Sequence, residues 1–160
     1  MMISVLSAGY FAASIKKRIE LLELFVMLIK QIRTYISYSK LPLTQIVNEL
    51  EQDGDYKKLG IFTSMQRYIV LGESVTEAFE KSIYNSYVLS SLKQEDKKLM
   101  CSFVKSLGAS DTDSQLMNCD TYTDLLSATV NSLKQKSADK IKVYNSLGIL
   151  SAVFIAVLFF

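Results

Sequence analysis

The chain has 160 residues, two cysteines, no histidine and no tryptophan, and its 18 basic and 16 acidic residues leave a net charge of +2. This length suits one domain, and so small a net charge gives no reason to expect a nucleic-acid-binding protein. Without histidine, a Ser-His-Asp triad and phosphotransfer to histidine are excluded. Phosphate-binding glycine loops are absent, and two cysteines are too few for a metal site. We therefore expect a protein that is not an enzyme and that has no cofactor.

The last eighteen residues, 143–160, carry no charge and follow a cluster of lysines. A helix of this length measures roughly 27 Å, close to the thickness of about 30 Å of a bilayer core. We expect a C-terminal transmembrane helix whose basic flank lies on the cytoplasmic side of the cell membrane. A buried core helix is the alternative. The flanking lysines are Lys134, Lys136, Lys140 and Lys142.

Residues 1–15 form a second uncharged run, followed at once by Lys16, Lys17 and Arg18. A helix of about 22 Å is short for a span, so a short membrane helix, an interfacial anchor and the start of a core helix all stay open. A signal peptide is disfavoured because the basic residues follow the run. The two basic clusters together predict a cytoplasmic domain over residues 16–142.

Within that domain apolar residues recur every three or four positions, and the alternation typical of strands is scarce. The pattern predicts an all-α antiparallel bundle of about six helices with short connections. The predicted helices cover residues 16–39, 42–52 and 56–71, one after Ser74, one after Ser91, and one from about Thr112 that continues into the uncharged C-terminal run.

Several residues mark helix boundaries. Ser74-Val75-Thr76-Glu77 and Ser91-Leu92-Lys93-Gln94 fit capping boxes. Gly72 is predicted to end the third helix, and Gly108 to end the fifth in a left-handed conformation. The segment 110–113 supplies acids for the next N-terminus.

The remaining polar residues give little evidence of chemistry. Cys101 and Cys119 are predicted to be small core residues that form no disulfide. Paired acids such as Glu95-Asp96 stand at helix starts, where they serve capping and solvation. Acids near Glu73, Glu77 and Glu80 fit a solvated helix face, with a docking face as the alternative.

An ordered series of motifs resembles the stage III sporulation protein AB family along nearly the whole chain. The segment 92–126 resembles the second half of the family. The stretch QIRTYISYSKLPLTQI resembles its Tyr–x–x–Thr-Pro-Leu step, and GESVTEAF resembles its glycine–aromatic element. Leu41 stands where the family usually has a capping threonine, and residues 1–15 are shorter than the family's membrane helix. The matching positions are Tyr38, Pro42, Gly72, Phe79, Leu107, Gly108, Ser110, Asp111 and Gln115.

The resemblance implies a part in endospore formation, on the mother-cell side of the channel that joins mother cell and forespore. It also implies a fold similar to the F-type inner-membrane platform of type II secretion and type IV pilus machines. The implied partners are a motor ATPase of the same operon and other membrane components of the channel, and a homo-oligomer stays open. The competing hypothesis is a membrane-tethered sensor or adaptor, with an internal pocket or a groove for a small ligand or a signalling protein.

Overall fold

The computed structural model describes residues 2–39, 41–108 and 111–159, and the side chains of residues 13–39, 41–108 and 111–138. This part of the chain contains six α-helices and no strand, which confirms the predicted all-α fold. Short helical turns cover Tyr35–Ser39, Tyr56–Leu59 and Val88–Ser91. The α-helices are α1 (Met2–Thr34), α2 (Leu43–Gln52), α3 (Phe62–Val70), α4 (Val75–Asn85), α5 (Gln94–Gly108) and α6 (Thr112–Phe159).

The two longest helices, α1 and α6, run antiparallel and form the axis of the bundle. Arg33 near the end of α1 pairs with Asp120 near the start of α6, and Glu23 pairs with Lys134 further along. Both helices continue into the uncharged runs, since α1 begins at Met2 and α6 reaches Phe159. The predicted continuation of the sixth helix into the C-terminal run is therefore confirmed, and the first helix begins earlier than predicted.

The predicted C-terminal transmembrane helix is not supported. Among the residues that the structure describes, no helix combines the length and the apolar character needed to cross a membrane. The side chains of the uncharged run 143–160, and those of Lys140 and Lys142, lie outside the described residues.

Four aromatic rings connect the helices in the core. Phe25 of α1 lies 6.1 Å from Phe79 of α4 and 6.2 Å from Phe103 of α5, measured between ring centroids. Phe103 in turn lies 5.5 Å from Tyr122 of α6 in an edge-to-face arrangement. Such pairs contribute about 0.5–1.5 kcal/mol each beyond the burial of their area. The cluster therefore fixes α1, α4, α5 and α6 to one another.

The predicted helix over 56–71 is wrong because Gly60 divides it. Gly60 has φ +65°, and its amide donates to the carbonyl oxygen of Lys57 at 3.0 Å, which closes the turn Tyr56–Leu59. α3 then starts anew at Phe62. Left-handed backbone at a glycine ends a helix at little steric cost, which explains the break.

Gly72 behaves as predicted and Gly108 does not. Gly72 has φ +90° and follows α3, so it ends the third helix as expected. Gly108 is the last residue of α5 and does not have a positive φ. The left-handed C-cap predicted at Gly108 is therefore wrong, and the described glycines with positive φ are Gly60 and Gly72.

Exchanging these glycines for alanine gives contrasting expectations. Gly60→Ala is expected to lower the free energy of unfolding by about 1–2 kcal/mol, because a Cβ is unfavourable in left-handed backbone. That Cβ would also stand 2.9 Å from Cγ2 of Val88. Gly108→Ala is expected to be neutral or slightly stabilising, since its Cβ would meet Oγ1 of Thr76 at an ordinary 3.5 Å. Urea unfolding followed by circular dichroism measures both, and a larger loss for Gly108→Ala would contradict these backbone assignments.

One of the two predicted capping boxes is present. Ser74 Oγ accepts the amide of Glu77, and Glu77 Oε2 accepts the amide of Ser74, so the first box is confirmed. The box at Ser91 is wrong, because Ser91 ends a short turn and α5 begins only at Gln94. There the Asp96 carboxylate reaches back to accept the backbone amide of Lys93 at 2.8 Å. Asp96, three residues beyond Lys93, thus provides the capping hydrogen bond that was predicted for Ser91.

Pro42 and the two cysteines complete the fold. Pro42 has an extended backbone and is the N-cap of α2, directly before the first turn in which it was predicted to lie. Its carbonyl oxygen accepts a hydrogen bond from the amide of Ile46. Cys101 and Cys119 are free and buried, as expected for core residues. Burial raises the pKa of both thiols to about 11, so they stay protonated at neutral pH.

Candidate interaction surfaces

Several of the motif residues meet at the corner between α5 and α6. The carbonyl oxygen of Leu107 accepts Nε2 of Gln115 at 2.7 Å, which joins the end of α5 to the first turn of α6. Asp111 caps α6, since its Oδ1 accepts the amide of Ser114 at 3.0 Å, and these hydrogen bonds lower the pKa of the Asp111 carboxyl. Gly108 stands beside Thr76 of α4. These residues define the distal end of the bundle, where α3 and α5 end and α4 and α6 begin.

The other motif residues have separate positions. Phe79 is buried in the aromatic cluster, and Gly72 makes the turn between α3 and α4. Tyr38 and Pro42 lie on the connection between α1 and α2, where the Tyr38 side chain is 84 % exposed. Ser110 lies outside the described residues. Most of these motif residues therefore hold helices together, and Tyr38 is the one with a large exposed side chain.

An apolar surface at the distal end was missed by the sequence reasoning. Val70 and Leu71 are 82 % and 72 % exposed where α3 turns into α4, and we call this pair the α3–α4 tip. Contiguous exposed apolar side chains mark candidate contact sites for other proteins, whereas single ones do not. The sequence does contain a signal for this surface. The run Ile69-Val70-Leu71 before Gly72 has more consecutive apolar residues than one buried helix face requires.

The acids near this tip are engaged within the domain. Lys81 Nζ lies 2.6 Å from Glu73 Oε1, and Lys105 Nζ lies 2.9 Å from Glu80 Oε2. Glu77 belongs to the capping box, and its hydrogen bonds with Ser74 lower the pKa of its carboxyl. The observed pairing does not favour an acidic docking face, because two of the three carboxylates already have lysine partners.

Arg18, one of the predicted membrane-flanking basic residues, forms an ion pair within the domain. Its Nε and Nη2 donate to the two carboxylate oxygens of Asp96 at 2.7 and 2.9 Å. The Arg18 and Asp96 side chains are only 12 % and 4 % exposed. Arginine matches a carboxylate with two parallel hydrogen bonds in a way that lysine does not, which accounts for a buried partner here. Lys16 and Lys17 beside it are exposed, as is Lys136.

A groove lies between α1 and α6 at the opposite end of the bundle, which we call the proximal end. Its volume is about 780 Å³. By contrast, the apolar cavity enclosed by helices α1 to α5 measures about 30 Å³, too small for an organic ligand. The competing sensor hypothesis called for an internal pocket or a groove. The described part of the bundle offers the groove, whereas this cavity is too small to serve as the pocket. The groove is lined by Ile15, Arg18, Lys93, Leu125, Ala128, Thr129, Ser132, Leu133, Lys136 and Ser137.

No set of three or more cysteine, aspartate or glutamate side chains comes together as a metal site within the described ranges. No curated protein and no solved structure matches this chain significantly. One family model does match, that of stage III sporulation protein AB, and the match runs from residue 1 to residue 160. The chain therefore belongs to the stage III sporulation protein AB family.

Proposed function

We propose that this protein is a non-enzymatic platform of the channel complex between mother cell and forespore, needed for endospore formation. In this proposal it lies at the mother-cell membrane and couples a motor ATPase of the same operon to the membrane parts of the channel. Membership of the sporulation family supports the setting. The mechanism is binding, and no residue carries out bond chemistry.

The observation that carries the proposal is the direction in which the two uncharged runs leave the bundle. Because α1 and α6 are antiparallel, the start of α1 and the end of α6 point the same way. Ile15 and Ser137 line one groove at the proximal end, whereas Arg33 and Asp120 pair towards the distal end. We infer that residues 1–15 and 143–160 both attach the proximal end to the membrane, which leaves the distal end free for a partner.

The α3–α4 tip is the part of the distal end best suited to bind the ATPase. Val70 and Leu71 supply apolar area, and Glu73 and Lys81 beside them supply a polar rim. A small apolar centre surrounded by polar groups is the usual composition of a protein–protein contact. The left-handed Gly72 fixes the turn that presents both side chains.

The experiment is a pull-down of the ATPase with the full-length protein in mild detergent. Val70→Ser/Leu71→Ser is expected to reduce ATPase capture at least tenfold, because both apolar contacts are lost from the centre of the surface. Tyr87→Ser is the matched control. Its side chain is 88 % exposed, and Tyr87 lines a cleft with Ala13 and Lys17 at the proximal end.

The control is expected to capture the ATPase like the wild type. Circular dichroism should show that both variants keep the helical fold, since the changed side chains are exposed. Equal capture by the tip variant and the wild type would remove the tip as the binding surface. If the wild type captures no ATPase, the coupling role itself must be abandoned.

A further inference from the structure

The groove at the proximal end combines two kinds of lining that suit an amphiphile. Arg18, Lys93 and Lys136 bring cationic groups to it, and Ser132 and Ser137 bring hydroxyl groups. The rest of the lining is apolar or small. Phosphate oxygens accept hydrogen bonds from ammonium and hydroxyl donors, whereas acyl chains and glycerol carbons contact aliphatic side chains. The remaining lining residues are Ile15, Leu125, Ala128, Leu133 and Thr129, whose hydroxyl donates to the carbonyl oxygen of Leu125.

The charge inside the groove is not balanced by the domain. Asp96, the partner of Arg18, already accepts two hydrogen bonds from Arg18 and one from the Lys93 amide. Among the described side chains, no carboxylate lies within salt-bridge distance of the ammonium group of Lys93 or Lys136. Two lysines therefore face the groove without a described counter-charge.

The position of the groove indicates where its ligand comes from. Its walls are the parts of α1 and α6 that continue directly into the uncharged runs towards Met2 and Phe159. If those runs attach the protein to the membrane, as the proposed function requires, the groove opens at the level of the lipid headgroups. Basic pockets at the cytoplasmic surface of a membrane are favourable sites for anionic headgroups.

We propose that this groove binds the phosphate-bearing headgroup of an anionic glycerophospholipid. Lys93 and Lys136 bind the phosphate, and the ion pair between Arg18 and Asp96 holds α1 against the start of α5, which positions Lys93. The aliphatic side chains of Ile15, Leu125 and Leu133 contact the glycerol and the first carbons of the acyl chains. This inference rests on the proposed membrane attachment, but it assigns a ligand that the platform role does not itself require.

An acidic segment of another protein is the less suitable occupant. Among the described side chains, the α1 lining runs from Ile15 to Arg18, which is roughly 5 Å of helix rise. A docked helix or strand needs a longer contact on both walls, whereas one headgroup does not. The volume of about 780 Å³ falls within the range of sites for single small molecules.

The test is a lipid titration of the full-length protein in detergent micelles, followed by native mass spectrometry. Phosphatidylglycerol is expected to bind more tightly than phosphatidylcholine, which carries the same phosphate without net charge. Lys93→Gln/Lys136→Gln is expected to weaken phosphatidylglycerol binding at least tenfold, since each lysine near an anionic surface contributes about fivefold. The control Lys57→Gln/Lys58→Gln removes the same charge from exposed residues outside the groove and is expected to bind like the wild type.

Three results would overturn the assignment. The first is equal affinity for phosphatidylglycerol and phosphatidylcholine, or equal affinity of the groove variant and the wild type. The second is displacement of the lipid by millimolar inorganic phosphate, which would indicate a site for free phosphate. The third is tighter binding of a polyglutamate peptide, lost in the groove variant, which would indicate an acidic protein. No ATPase takes part in the lipid titration. A negative titration therefore does not affect the conclusion from the pull-down, and a negative pull-down does not affect the interpretation of the titration.

Discussion

Arg18→Met is expected to lower the free energy of unfolding by about 3–5 kcal/mol, because it leaves the carboxylate of Asp96 buried without its partner. Asp96 is 4 % exposed with the guanidinium in place, so its carboxylate depends on Arg18 for these two hydrogen bonds. The methionine retains most of the aliphatic volume, and the loss therefore reports on charge and hydrogen bonding instead of on a cavity. Urea unfolding of the full-length protein in mild detergent, followed by circular dichroism, measures it.

Arg33→Met is the matched control for this variant. Arg33 makes the same two-pronged contact with Asp120, yet the two side chains are 42 % and 59 % exposed. Pairs in water contribute about 0–1 kcal/mol, so the control should unfold almost like the wild type. Similar losses of unfolding free energy in both variants would show that the stabilisation from the Arg18–Asp96 ion pair does not depend on its burial.

Phe103→Ala is expected to cost about 3–5 kcal/mol of unfolding free energy, the second large effect. The ring has no exposed surface and contacts both Phe25 and Tyr122, so its removal opens a cavity between α1, α5 and α6. Phe103→Leu should recover part of the loss because it refills some of the volume. Thermal and urea unfolding of the three proteins give the comparison.

Tyr38→Ala serves as the control for aromatic truncation. Tyr38 is one of the motif residues, but its ring stands in solvent, and the change is expected to alter stability by less than about 0.5 kcal/mol. A large loss for Tyr38→Ala, or a small one for Phe103→Ala, would mean that the aromatic cluster does not hold these helices together.

The features that sequence reasoning predicted correctly depend on short stretches of chain. The apolar stripe of α1 and the box at Ser74 involve residues three or four positions apart, and those positions are neighbours on any helix. Gly60 and Gly108 show the limit of this reasoning. Both follow an apolar residue near a helix end, and which of them turns left-handed depends on how the next helix packs.

The features that were missed depend on distant parts of the chain. Arg18 and Asp96 are 78 positions apart, so only the packing of α5 against α1 shows that they form a buried pair. The exposure of Val70 and Leu71 likewise follows from the absence of any described element over the turn after α3. A helical pattern indicates which side chains can share a face, but it does not show which face stays uncovered.

The continuity of α6 has a consequence for the lengths of chain that this protein tolerates. The helix contains 48 residues and is therefore roughly 72 Å long. Each residue added between the bundle and the uncharged run would rotate everything beyond it by about 100°, since a turn holds 3.6 residues. One inserted residue would thus aim the end of α6 in a new direction, whereas seven would bring it back to within about 20°. Homologous chains should consequently differ in length in this part of α6 by multiples of seven residues, because such insertions preserve the direction in which the end of α6 points.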